Sequence, residues 1–153
     1  MTTTAASEPA GQGAPTMSEL LSALRRLDQS GLPYQAKLAA RLRSLSTAYA
    51  EDYEGRPLSG RSLDSMLDFL ATASAPGYPG LTATPAGDLY AEWQGREGRR
   101  LTVEFLDSGD ARYLIFLPNP KHPGRLDRLS GATTADALGD TIAPLAHLTG
   151  LAA

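Results

Sequence analysis

From Leu81 to Leu117 apolar and polar side chains alternate, and three turn-forming clusters interrupt the alternation without breaking its phase. Successive side chains of a strand point to opposite faces, so a one-residue slip would send a strand's whole apolar set to the wrong side. With Gly87 as the left-handed residue of a Pro85-Ala86-Gly87 loop, Ala83 faces Leu89 and Leu81 faces Ala91. Centring the second loop on Glu97 pairs Leu89 with Phe105, Ala91 with Val103 and Trp93 with Leu101. Centring the third on Gly109 pairs Val103 with Ile115, Leu101 with Leu117 and Phe105 with Tyr113. All three choices place positions 81, 83, 89, 91, 93, 101, 103, 105, 113, 115 and 117 on one face. The pattern predicts a four-stranded antiparallel meander over about 81–117.

Before the meander the period is helical. Ser18 is placed to cap a first helix carrying Leu20, Leu21, Leu24 and Leu27, which Ser30-Gly31 ends. Pro33 suits the first position of a second helix, whose stripe is Tyr34, Leu38, Leu42, Leu45, Tyr49 and Tyr53. A third begins at Ser59 or Ser62 and carries Leu63, Met66, Leu67 and Leu70, so helices fill about 18–74. After the meander, Pro118-Asn-Pro-Lys-His-Pro-Gly124 is expected to end the sheet. Thr133 or Thr134 then caps a closing helix over about 134–148, with Leu138, Ile142, Leu145 and Leu148 inward and Pro144 expected to kink or shorten it. Residues 1–16 hold no bulky apolar side chain after Met1 and predict a disordered tail. Residues 17–153 predict one α+β domain: N-terminal helices packed on the meander, with a C-terminal helix.

Composition narrows the chemistry. The 153 residues suit one core, and zero cysteine excludes thiolate metal sites, disulfides and a thiol nucleophile. Fourteen basic against seventeen acidic residues leave a net charge of -3, with no global attraction for nucleic acid. The N-terminus lacks a secretory pattern and no apolar run could span a bilayer, so the expectation is a cytoplasmic protein with no membrane partner. His122 and His147 lack ligands at metal spacing, Gly11-Gln-Gly13 follows no strand, and Asp107-Ser-Gly-Asp110 reads as a hairpin turn; no metal, cofactor or catalytic set is expected.

The second face of the meander carries the candidate site. Register places Thr82, Thr84, Tyr90, Glu92, Thr102, Glu104, Arg112, Leu114 and Phe116 there. Tyr90 faces Glu104, and Glu92 lies diagonal to Glu104 at roughly 7–8 Å between Cβ atoms, a spacing fit for acid/base work or a hard cation. The plainer reading is a solvated sheet face. Leu114 and Phe116 break it, because with Tyr113, Ile115 and Leu117 they make the last strand apolar on both sides. Such an edge needs cover, either from Arg125–Leu148 folding back or from another chain. Tyr90, Glu92, Glu104, Arg112, Leu114 and Phe116 therefore form the expected contact set of a non-enzymatic protein that binds another protein or a second copy of itself. Two alternatives remain: a small hydrolytic or metal-dependent enzyme using Glu92 and Glu104, and nucleic-acid binding through Arg25, Arg26, Lys37, Arg41 and Arg43.

The pattern Pro79-x-Leu81-x-x-Thr84-Pro85-x-Gly87-x-Leu89-x-x-Glu92-Trp93, followed by Leu101-x-Val103-Glu104-Phe105, resembles a type of small bacterial accessory protein with helices before a "TPxG…EW…EF" meander, largely uncharacterised biochemically. It covers about a fifth of the chain and specifies a turn, a core Trp and alternation. The resemblance implies a non-enzymatic accessory role, antitoxin-like or defence-associated, and transfers no catalytic residue.

Overall fold

The computed structural model describes residues 17–72 and 75–149, so the expected tail over 1–16 lies outside the described residues. Three helices come first: α1 (Met17–Asp28), α2 (Gln35–Asp52) and α3 (Gly60–Leu70). Since α1 begins at Met17, Ser18 lies inside it rather than capping it. The start of α2 falls two residues beyond Pro33, after Tyr34, and its buried stripe is Leu38, Ala39, Leu42, Leu45 and Tyr49. Of the two expected starts of α3, the one at Ser59 matches: the helix begins at Gly60 and the Ser59 hydroxyl caps it, accepting the Ser62 N–H at 3.1 Å.

Five strands follow in sequence order: β1 (Gly80–Ala83), β2 (Leu89–Gln94), β3 (Arg100–Phe105), β4 (Asp110–Pro118) and β5 (Leu126–Thr134). The first two hairpins have the expected pairs, Leu81 with Ala91 and Leu89 with Phe105 among them. The third is shifted by two residues, so Val103 faces Tyr113, Leu101 faces Ile115 and Phe105 faces Ala111. The cause is the loop: the Gly109 N–H bonds to Leu106 O and the Leu106 N–H to Asp110 O, leaving Asp107, Ser108 and Gly109 between the strands. Gly109, at φ +94°, is the last of these three residues and not their centre, as Gly87 is in the first hairpin. A shift of two preserves every side chain's face. Leu81, Leu89, Ala91, Trp93, Leu101, Val103, Phe105 and Ile115 are all buried together.

The sheet has five strands, not four. Pro118–Gly124 does not end it but leads into a connection held by Asn119, whose Oδ1 accepts the N–H groups of Lys121 (2.8 Å) and His122 (2.9 Å) while its amide donates to Asp127 at 2.9 Å. β5 pairs with β4 along its whole length, from Asp110–Thr134 to Pro118–Leu126. β4 is consequently an interior strand, which overturns its expected place at the edge. Thr134 caps α4 (Ala135–Thr149), accepting the Ala137 N–H at 3.3 Å. The helix runs through Pro144 to Thr149 rather than stopping there, and buries Leu138 and Ile142 in the same core as α3 and the inner sheet face. The side chain of Leu148 lies outside the described residues. The result is an α+β fold with the helices on one side of the sheet.

Ser62, fully buried on α3, ties these layers together. Its hydroxyl donates to Phe105 O at 2.5 Å and accepts the Leu89 N–H at 2.7 Å, joining α3 to β2 and β3 at once. Replacing Ser62 by Ala leaves a buried donor and a buried acceptor without this partner, and chemical denaturation should show a loss of about 1–3 kcal/mol. Gly131 is a second tight point, since a Cβ there would overlap the Tyr113 ring and hydroxyl. Gly131→Ala should cost about 1–3 kcal/mol by the same measurement, and much less in a Tyr113→Leu background.

Candidate functional site: the open face of the sheet

Alternation puts Tyr90, Glu92, Glu104, Arg112, Leu114 and Phe116 together on the face away from the helical core, as the sequence pattern requires. Tyr90 is opposite Glu104, Glu92 opposite Thr102, and Thr102 opposite Leu114. β5 extends the face with Arg128 opposite Phe116, Ser130 opposite Leu114 and Ala132 opposite Arg112. Tyr90, Leu114 and Phe116 are half-buried, while Arg112 and Arg128 are exposed. Thr102, at the centre, is only 5% exposed.

Arg100 is the residue that the alternation alone did not single out. The two-residue shift of the third hairpin sets it opposite Phe116, and its guanidinium carbon lies 4.7 Å from the centre of that ring. Its Nη1 also approaches Glu92 Oε2 at 3.5 Å. Register arithmetic with the glycine placed third in the loop would have found the pair. Arg112 Nη1 stands 3.8 Å from Glu104 Oε1. Each carboxylate of the expected acid/base pair is thus matched to its own arginine across the ladder, the arrangement of a surface ion-pair network rather than of two carboxylates flanking a shared water or cation. Among the described residues no group of three His, Asp or Glu side chains is arranged to hold a metal ion.

Three of the five basic residues named on the first two helices are engaged within the fold, while Arg25 and Arg43 are exposed. Arg26 is bound to Asp64 at 2.9 Å and to Asp68 at 2.6 Å, Lys37 sits 4.4 Å over the Tyr78 ring, and Arg41 donates to Leu81 O at 2.7 Å. Arg43 borders an apolar cleft of about 590 Å³ between α1 and α2, lined by Leu20, Leu21, Leu24 and Ala50. A smaller hollow of about 330 Å³, lined by Tyr78, Gly80, Glu92 and Trp93, opens beside the β1 end of the sheet. His122 is exposed in the β4–β5 connection, and the side chain of His147 lies outside the described residues. No described helix is long and apolar enough to cross a membrane.

At the end of the face near the first hairpin, Asp88 is 6% exposed and its Oδ1 has no hydrogen-bond partner. Burial raises its pKa, and the neighbouring Asp107 and Glu104 charges add to the effect; the Asp107 backbone N–H and Arg112 oppose it. A carboxyl whose folded pKa lies above its unfolded value favours folding most when protonated, and that contribution is lost as pH rises through the folded pKa. Asp88→Asn should therefore stabilise the protein at neutral pH. Its advantage should shrink as pH falls below the folded pKa of Asp88 toward 3.8, measured as unfolding free energy against pH for both proteins.

Comparison with protein families, curated protein sequences and solved structures finds no match to this chain.

Proposed function

We propose that this is a non-enzymatic protein-binding protein and that the open sheet face is its contact surface. The observation that carries this reading is the mixture of side chains left there once the described helices have packed on the other side. Tyr90, Phe116 and Leu114 are half-buried among Arg100, Arg112 and Arg128, and Tyr, Phe and Arg are the residue types that dominate the centres of protein interfaces. The sheet supplies a rigid base, and Arg100 stacked on Phe116 presents a flat surface with its cation already oriented. Arg128, exposed and without an ion-pair partner among the described residues, gives the face surplus positive charge at its β5 side. The fitting partner is a polypeptide offering an aromatic or aliphatic side chain flanked by a carboxylate. An antitoxin-like or defence-associated role in a cytoplasmic setting accords with such a module and with the resemblance of the hairpin motif, and is part of this proposal.

The reading that uses Glu92 and Glu104 as a hydrolytic pair is less well supported, because neither carboxylate is free of an arginine. Nucleic-acid binding through the first helices is likewise weakened by the commitments of Arg26, Lys37 and Arg41 within the fold.

A photoreactive residue in place of Tyr90, in the protein expressed in its native cells, should give an adduct of one defined mass. The same residue at the exposed Ala48 of α2 should give none. Leu114→Glu with Phe116→Glu should remove the adduct while the far-ultraviolet dichroism and unfolding midpoint stay near those of the parent. Equal adducts from both positions, or unfolding of the double variant, would count against a contact role for this face.

A further inference from the structure

The two edges of the sheet differ. β1 is four residues long, lies between Pro79 and Pro85, and has its Leu81 carbonyl occupied by Arg41 of α2 at 2.7 Å. A short strand with prolines beside it and a cation on its backbone is a poor template for a further strand. β5 is nine residues long, contains neither proline nor lysine, and exposes Leu126 (48%) and Leu129 (45%). No side chain among the described residues hydrogen-bonds to its backbone. One edge is closed and the other is open.

We infer that β5 pairs with β5 of a second copy of this chain, antiparallel, about a two-fold axis perpendicular to the sheet and centred on Ser130. Directly opposed residues in an antiparallel pair share a face, so a symmetric pairing of this kind must be centred on a residue. Centring on Asp127 or Arg128 opposes like charges, and centring on Leu129 sets the two Arg128 side chains diagonal to each other. Centring on Gly131 leaves Leu126 outside the pair. Only the Ser130 register engages all nine residues without such a conflict. It places Arg128 opposite the second copy's Ala132, Asp127 opposite Thr133, and Leu129 opposite Gly131. That last pair gives the exposed Leu129 a landing site, because the Tyr113 ring lies over Gly131. With the axis perpendicular to the sheet, the two open faces point the same way and join into one surface. The inference rests on the edge strand and not on what the face binds.

The absence of cysteine makes the register directly readable in the full chain. Ser130→Cys places two thiols across the axis at roughly 4.5–5.5 Å between Cβ atoms, close enough to bridge with slight adjustment. Under mild oxidation Ser130→Cys should give a disulfide dimer on a non-reducing gel. Ala132→Cys, Arg128→Cys and Ala48→Cys should give little or none. Light scattering of the parent at roughly 100 µM, where even a weak edge pairing is populated, should report twice the monomer mass. Leu129→Lys should weaken self-association at least roughly tenfold while keeping the unfolding midpoint, since a lysine on an edge strand opposes strand addition. A monomeric parent at that concentration overturns the inference, as does a dimer that cross-links as readily from the other three positions. Loss of the Tyr90 adduct with Ser130 cross-linking intact would count against the face reading alone.

Discussion

One-sided burial of a single sheet is the constraint from which the rest of this molecule follows. Trp93, Val103 and Ile115 come from three successive strands and are all at most 4% exposed. They share a layer only because each hairpin keeps the parity of the one before. Phe69 of α3 meets Trp93 of that layer edge-on, with ring centres 5.8 Å apart, and lies tilted against Phe105 at 6.0 Å, so the helix is seated by residues of the registered strands. Ser62, seven residues earlier on α3, supplies the polar counterpart by bonding to backbone groups of β2 and β3. Had β2 or β3 slipped by one residue, the aromatic seat and the hydroxyl bridge would both have been disrupted.

That constraint also explains which parts of the structure can be read from the chain. The stripes of α2 and α3, the inner layer and the membership of the open face all rest on side-chain periodicity, and periodicity is what a sequence displays. The third hairpin shows the boundary of this information. Parity tells which face Leu114 and Phe116 occupy, but a shift of two leaves parity unchanged, so opposite partners depend on loop geometry. Only with Asp107, Ser108 and Gly109 all outside the strands does Arg100 meet Phe116. β5 left almost no trace in the pattern, for a physical reason: seven of its nine residues are exposed and only Gly131 and Thr133 are half-buried, so burial imposes no apolar alternation on Leu126–Thr134. Its ladder comes from the backbone of β4, and backbone groups are the same in every sequence.

The electrostatics of the open face follow from its position. Glu92 with Arg100 and Glu104 with Arg112 are cross-strand pairs at 3.5 and 3.8 Å, partly solvated, and such pairs contribute roughly 0–1 kcal/mol each to stability. Between them lies Thr102, opposite Glu92 and Leu114 and only 5% exposed. A face that carries paired charges and one stacked cation keeps polar groups at its surface while still presenting aromatic area. A bare apolar face of the same size would aggregate.

β5 then has two consequences that pull in opposite directions. By pairing with all of β4 it covers the backbone edge of a strand that is apolar on both faces, removing the association hazard that the sequence of β4 would create at an edge. In doing so it becomes the edge itself, and its own features differ in kind from those of β4. Its apolar side chains are few, Gly131 leaves a narrow gap at its middle filled by the Tyr113 ring of β4, and its charges are one of each sign at adjacent positions. An edge of β4 would attract any extended apolar strand without regard to partner. An edge of β5 can accept a neighbouring strand only where like charges stay apart and a side chain fits beside Gly131. The fifth strand thus replaces an indiscriminate adhesive edge with a selective one, which is why the strand that the hydrophobic pattern does not reveal is the one that sets how this sheet can be extended.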